Sequence, residues 1–441
     1  MGNRITSKSA CRLPKTGRAA ALALPLVLAA AVPAEDWPQW RGANRDGVWR
    51  ESGILEVFPS GGLRVRWRAP VGHGFSSPVV AQGRVYVTDS QLDKPPKARE
   101  RVLCFEEATG QPLWTYSYEV SFPDWAFTPG QEKGPNATPI VRDGKVYVLG
   151  SLGHLFCFAT RKGEVLWQKN LAKEYQFDEL QTTSASPLID GKLLILLTCA
   201  LTGGKPCVVA LDKNSGKEVW KGLDESAAHS SPIIITAGGL RQLIVWTQQS
   251  VTSLDPAKGK PYWREPFPTL ADAVVSTPVF ADDRLLLGGL MLKLDADKPA
   301  ASVLWPEKRA PSRRVLSNTS TALLRGDHVF SAKSSGELVC LDAGTGRQVW
   351  ETNTVTALRN GASIHLTVNG DSVLLFNDRG ELIRARLTAE GYQEISRVAL
   401  VEPTYPFGGR KVAWTPPAYA NRQVFARTDK ELICASLAAK P

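Results

Sequence analysis

The sequence predicts an all-β fold: an eight-bladed β-propeller built from four-stranded antiparallel blades. Three observations predict it. A unit of roughly 40–50 residues starts eight times between Ser77 and the C-terminus. Within each unit, short apolar runs alternate with turns bearing Gly or Asp, and no long stretch shows helical periodicity. The last copy lacks its fourth strand, while a matching strand stands alone ahead of the first copy. A repeated unit of this size must bury its apolar faces against its neighbours. Four short strands per unit at this period describe a propeller blade.

Residues 1–34 read as a secretory signal peptide. Arg4, Lys8, Arg12, Lys15 and Arg18 come first, an apolar run AAALALPLVLAAAV (19–32) follows, and Pro33-Ala34 precedes the first acids, Glu35 and Asp36. That order is the signal-peptide order, with cleavage expected after Ala34. The run has fourteen residues and is interrupted by Pro25, whereas a bilayer span needs about 20. No transmembrane span is expected, and the mature chain belongs in the periplasm or outside the cell. Neither an Arg-Arg pair nor a cysteine after the run supports twin-arginine export or lipid attachment there. The formal charge is +10, but without the first segment 48 basic residues face 43 acidic ones. No Lys/Arg run remains, so nucleic acid is not an expected partner.

Residues 35–62 form a leader expected to dock on the propeller. Trp37, Trp40 and Trp49 are assigned to its flank, with Arg41, Arg45 and Asp46 fixing the docking by ion pairs. Leu63–Trp67 (LRVRW) matches the Trp-bearing strand of the repeat. It is expected to complete the final blade, closing residues 63–441 into a ring and hiding the edges an open stack would expose.

The repeats run from Ser77-Pro78 to Trp114, Thr138-Pro139 to Trp167, Ser186-Pro187 to Trp220, Ser231-Pro232 to Trp263, Thr277-Pro278 to Trp305, and Ser320-Thr321 to Trp350. A degenerate copy starts at Ser363-Ile364 and a last one at Thr415-Pro416. Arg84–Thr88, Lys145–Leu149 and His328–Ser331 are β-branched or alternating and read as half-buried strands. Gln82-Gly83, Asp143-Gly144, Asp190-Gly191 and Gly326-Asp327 precede the second strands as tight turns, where Gly accepts positive φ. Gly110, Gly163, Gly216, Gly259 and Gly346 each stand four residues before a Trp. The column Trp67, Trp114, Trp167, Trp220, Trp263, Trp305 and Trp350 holds seven of thirteen tryptophans. That regularity assigns them to packing between blades rather than to a ligand stack.

Six cysteines follow the signal segment. Cys104, Cys157, Cys340 and Cys434 share one repeat position among apolar neighbours and read as buried small hydrophobes. Cys199 and Cys207 flank a Gly-Gly turn and could bridge across a hairpin, since export permits disulfides. No C-x-x-C exists for a thiol-redox site, a zinc site or an attached haem.

GELVCLDAGTGRQVW (336–350), GHLFCFATRKGEVLW (153–167) and VVALDKNSGKEVW (208–220) resemble the pyrroloquinoline-quinone-like (PQQ-like) repeat family of eight-bladed propellers with tryptophan docking motifs. The resemblance covers residues 63–437, and DWPQWRGANRDGV (36–48) is similar to the leader of secreted bacterial propellers. It implies one of two functions. The family includes quinone-dependent alcohol dehydrogenases and non-catalytic members such as the propeller lipoprotein of the outer-membrane assembly machine. The enzymes carry adjacent cysteines against the cofactor and long pocket-building insertions; this chain has no Cys-Cys and little room for such insertions. No G-x-S-x-G elbow or H-E-x-x-H pair suggests other chemistry. Asp212, Asp255 and Asp342 precede turns and read as turn caps.

What remains is a binding module. Three positions before each Pro-equivalent, at one mouth of the channel, stand Phe75, Asn136, Ser184, His229, Val275, Asn318, Gly361 and Ala413. With His73, Arg313, Arg314, Arg359, Asn360 and Trp414 nearby, convergent polar groups make this mouth the candidate site. Trp125, between Phe122 and Phe127, is either a partner contact or part of an insertion packing on its own blade. The expectation is an exported, monomeric, non-catalytic propeller with no catalytic or metal-ligating residues and no resident cofactor. Its partner would be a protein of the envelope or the secreted fraction. A PQQ-dependent oxidoreductase and a carbohydrate-binding or glycan-processing accessory protein are the alternatives.

Overall fold

Eight four-stranded antiparallel sheets account for nearly all of the regular structure. The computed structural model describes residues 35–128, 133–176, 184–198, 205–269, 274–306, 316–439. The signal-peptide reading, Arg313, Arg314, the Cys199–Cys207 pairing and the side chain of Trp125 lie outside the described residues. In the first blade Val79–Ala81, Arg84–Leu92, Lys97–Glu106 and Pro112–Ser121 pair in chain order. The same meander recurs from Ile140–Arg142 through Tyr392–Ala399. The eighth sheet joins Ala418–Ala420, Gln423–Arg427 and Glu431–Ser436 to Val65–Pro70 from the chain's start. Trp67 lies opposite Cys434 and Arg68 opposite Ile433, so the ring closes as the sequence predicts. No described helix is long and apolar enough to cross a membrane.

The repeat's fixed residues now have physical causes. Each tryptophan sits opposite a small or flexible residue at a bulge: Trp114 faces Cys104, Trp167 faces Cys157, Trp350 faces Cys340 and Trp305 faces Met291. The bulge turns the indole toward the next blade. There its N–H donates to a turn carbonyl: Trp67 to Glu107 at 2.8 Å, Trp114 to Thr160 at 2.9 Å, Trp167 to Lys213 at 3.1 Å and Trp220 to Pro256 at 3.0 Å. Trp305 and Trp350 repeat the bond to Ala343 and Thr388. Except at Trp350, the indole face covers the repeated glycine of that turn; a Cβ on Gly163 would lie 2.6 Å from the Trp114 ring. Trp263 packs between its blade and the next, but its N–H turns back to Gln242 Oε1 at 2.9 Å. The following blade has Ala301 where the turns that seat Trp67, Trp114, Trp167, Trp220 and Trp305 place glycine, so the usual seat is missing.

The hydroxyl before each proline stitches the innermost strands together around the channel. Thr138 N donates to Ser186 Oγ, Ser186 N to Ser231 Oγ and Thr277 N to Thr321 Oγ1, each at 2.9–3.0 Å. Proline following the hydroxyl has no N–H to satisfy at that crowded point. The aspartate turn caps behave as read: Asp212 Oδ1 accepts from Asn214 N and Ser215 N, and Asp342 Oδ1 from Thr345 N.

The leader does not lie on the flank, contrary to the sequence expectation. Trp37 bridges to Val80 on an innermost strand, Val141 N donates to Pro38 O, and Val48 bridges to Val368. Residues 37–48 therefore plug the central channel. The ion pairs expected there are mostly replaced by backbone bonds. Arg45, 7% exposed, donates to Pro187 O at 2.7 Å, Pro232 O at 3.1 Å and Ser186 O at 3.3 Å. Trp40 Nε1 reaches Thr277 Oγ1 at 2.8 Å. Only Asp46 makes an ion pair, with Arg50. A guanidinium suits this role because its planar fork meets several carbonyls at once.

Beyond the plug, the leader crosses to the rim over the seam between the seventh and eighth blades. The seventh blade carries Arg384 and Ser396 where others carry the small residue and the Trp. Both hold the leader: Arg384 Nη1 donates to Leu55 O at 2.7 Å, and Phe58 N donates to Ser396 Oγ at 3.0 Å. The eighth blade has no turn between its third and fourth strands, because its fourth strand comes from residues 65–70. A docking Trp would have no seat there. Trp49, Ile54 and Phe58 fill that seam core instead.

Candidate functional site

The plug enters from the face that bears the turns between first and second strands: Gln82 N donates to Asp36 Oδ2, and Asn421 N and Arg422 N to Glu51. The candidate residues stand at the opposite mouth, where the chain enters each innermost strand. The structure brings some of them together. Asn136 Nδ2 donates to Ser184 Oγ at 2.9 Å across two blades. Asn318 O accepts Val275 N and Ser276 N at 2.9 Å each, and Asn318 N reaches Ser334 Oγ. Trp414 Nε1 donates to Gly361 O at 2.8 Å. Half-buried His229 occupies the equivalent place on the fourth blade. Asn136, Ser184 and Asn318 thus tie neighbouring loops together as well as facing the mouth.

Other candidates stand apart from this ring. His73 pairs through its backbone with Ser90, on the second strand of the first blade. Arg359 and Asn360 are exposed on the loop leading into the seventh blade, beside Leu358, which is 49% exposed.

The structure adds residues that the sequence did not single out. Trp414 belongs to an aromatic cluster with Phe75 at 6.0 Å, Tyr405 at 5.5 Å and Phe407 at 4.6 Å between ring centroids. Tyr405 and Phe407 come from an inserted hairpin, Tyr405–Phe407 with Arg410–Val412. Lys133, from the insertion after the first blade, donates to Tyr405 Oη at 2.7 Å. The two insertions meet over one side of the mouth. Beneath them Asp378, fully buried, pairs with Arg410 and accepts Thr356 Oγ1 at 2.6 Å. The only sequence signal for this strap was the unusual length of the segments after the first and seventh blades.

Between plug and mouth, the channel keeps a space of about 30 Å³ lined by Trp37, Trp40, Arg41, Ser77, Thr321 and His365. Burial lowers the Arg41 guanidinium to about 10; burial and the Arg41 charge lower Arg45 to about 9. Both stay cationic at neutral pH. Burial also pushes the His365 imidazole down to about 4, leaving it uncharged, with Nε2 2.7 Å from Trp414 O. The axis thus holds two cations and a neutral imidazole above a volume of about one water molecule. Among the described residues no group of three or more His, Cys, Asp and Glu could hold a metal ion.

A family model described as outer membrane protein assembly factor BamB matches residues 59–205 and 204–440. A stretch of 165 residues is 29% identical to the quinoprotein alcohol dehydrogenase PedH of Pseudomonas putida, covering 33% of this chain and 25% of that one. The outer membrane protein assembly factor BamB of Burkholderia pseudomallei is 26% identical over 238 residues, 52% of this chain and 58% of its own. The chain therefore spans a quarter of the length of the dehydrogenase and over half of the assembly factor. Among solved structures, BamB from Moraxella catarrhalis superimposes with a TM-score of 0.57 at 17% identity, over 86% of this chain and 99% of that one. The quinohemoprotein alcohol dehydrogenase from Comamonas testosteroni gives 0.64 at 14% identity, over 94% and 82%. At these identities the structural likeness speaks to the fold.

Proposed function

The chain belongs to the family whose model is described as outer membrane protein assembly factor BamB, and from that premise we propose that it is an exported binding or scaffold propeller. It holds a protein of the cell envelope at its open mouth and performs no reaction of its own. The observation that carries this reading is the plug. The chain runs into its own axis: the space lined by Trp37, Trp40, Arg41 and His365 is about 30 Å³, and a separate one of about 420 Å³ lies against Asn44, Arg45 and Asp46. A site for a drug-sized molecule needs about 300–1,000 Å³. A tricyclic quinone with its cation exceeds the space left at Trp37, Trp40, Arg41 and His365, which supports the binding reading over the quinone one. This end of the propeller offers what a protein partner uses: exposed Leu358 and Arg359 on the loop into the seventh blade, and the polar residues Asn136, Ser184, His229 and Asn318 on the loops into other blades.

The test is a photo-crosslinking residue placed at Arg359 on the mouth face and, separately, at Asn214 on the opposite face, in the native envelope. The reading expects one discrete protein adduct from position 359 and none from 214. Equal labelling from both faces, or adducts from 214 alone, would remove the mouth as the binding surface.

A further inference from the structure

Glu51 takes no part in the mouth and is 4% exposed. Its Oε1 accepts Glu35 N at 3.0 Å, Trp49 Nε1 at 3.2 Å and Asn421 N; its Oε2 accepts Arg422 N at 2.8 Å. All four donors are neutral, and none of the ion pairs among the described residues includes Glu51. A buried carboxylate without a cation keeps a desolvation cost that neutral donors offset only in part. One of those donors is the backbone nitrogen of Glu35, directly after the small-residue pair Pro33-Ala34.

We propose that Glu51 is the seat of a new amino terminus, made by cutting the chain between Ala34 and Glu35. An envelope endopeptidase of the signal-peptidase class would hydrolyse that amide. Water supplies a hydroxyl to the Ala34 carbonyl carbon, the C–N bond breaks, and the Glu35 nitrogen leaves as an amine. Nothing is oxidised or reduced. Protonated, the amine becomes an ammonium 3.0 Å from Glu51 Oε1 without moving from where its amide now stands. The pair locks the leader at the root of the plug. Arg50 N already holds the Glu35 side chain at 2.9 Å, which fixes the residue's orientation.

Other charges face this point. The Glu35 carboxylate and Asp36 add to the negative field, and Glu107 lies beyond Asn421. The Arg50 and Arg422 guanidiniums oppose it. Direct contact at hydrogen-bond distance in a buried place gives Glu51 the largest share. An α-ammonium paired there has its pKa raised above the ordinary value of about 7.7–8.0. Its contribution to stability is complete below that ordinary value and is lost as pH rises through the folded-state value.

The experiment secretes the full chain from a bacterial host and reads the recovered protein by intact mass and N-terminal sequencing. The expected first residue is Glu35. The pH dependence of acylation at that α-amine, followed by mass spectrometry of the N-terminal peptide, should show a pKa raised by at least about one unit, a tenfold change. Glu51→Gln should return it to the ordinary range. A chain that retains Ala34 should unfold at lower urea than one starting at Glu35, and Glu51→Gln should abolish that difference. If Glu51→Gln does not fold, the α-amine pKa of the unsubstituted chain decides. A first residue other than Glu35, or an ordinary α-amine pKa, overturns the proposal. Either result leaves the mouth reading untouched, because crosslinking at 359 does not depend on it.

Discussion

One methyl group at Gly110 tests how the ring is latched. Gly110 has φ +72°, and a Cβ there would lie 2.5 Å from the Trp67 ring. Trp67 is pinned on both sides, by its pairing with Cys434 and by its indole bond to Glu107 O at 2.8 Å. It cannot retreat without opening the seam between the eighth and first blades. Gly110→Ala therefore carries two costs: about 1–2 kcal/mol for placing an L-residue in the left-handed region, and about 1–3 kcal/mol for overpacking against the ring. Gly83 supplies a matched control. Its φ is also +72°, and nothing lies within 4 Å of a Cβ placed there. Gly83→Ala should cost the backbone share alone. Urea unfolding followed by tryptophan fluorescence and far-ultraviolet circular dichroism measures both. The expected loss is about 2–5 kcal/mol for Gly110→Ala and about 1–2 kcal/mol for Gly83→Ala. In a Trp67→Ala background the two substitutions should cost the same. Equal losses in the unsubstituted background would refute the view that indole-on-glycine contact closes the ring.

Trp167→Ala removes a docking indole and should cost about 3–5 kcal/mol in the same unfolding assay; a loss below about 1 kcal/mol would return this column to decoration. Arg45→Met leaves Pro187, Pro232 and Ser186 carbonyls without their donor and should cost about 2–4 kcal/mol, with faster amide exchange confined to residues 37–48; unchanged exchange there would mean that the plug is held otherwise. His365 is uncharged in the fold because burial, helped by Arg41 and opposed by the hydrogen bond to Trp414 O and by Asp378, lowers it to about 4. Its folded pKa lies below the unfolded value of about 6.5, so stability is complete above that pH and falls by up to roughly 3 kcal/mol as pH drops toward 4. His365→Asn should flatten that part of the stability–pH curve, and an unchanged slope would assign acid loss to other groups.

The blades were legible because their signal is local and repeated. A turn glycine four residues before a Trp fixes strand register, and the spare strand at residues 63–67 announced closure. The Cys and Trp columns were also visible, although their face-to-face pairing across a bulge was not. The leader was misplaced because it has no repeat to compare with and no strand pattern. Its Arg45 makes three bonds to backbone carbonyls, which no side-chain pattern advertises. Trp263 looked like its fellows in sequence; the difference lies in the next blade, where Ala301 replaces the seat. The mouth was placed by counting back from each proline, which locates a position in the ring without saying what it touches. That is why Asn136 and Ser184 emerged as partners, His73 proved to be paired through its backbone with Ser90, and the Lys133–Tyr405 strap, made by residues 272 apart, escaped notice.

The central claim is that the chain blocks its own axis and works by binding at its surface. Titrating the purified, folded protein with pyrroloquinoline quinone and calcium, while following the quinone absorbance, tests it most directly. The account predicts no saturable uptake and no dye-linked oxidation of alcohols; one quinone bound per chain, with activity, would contradict it.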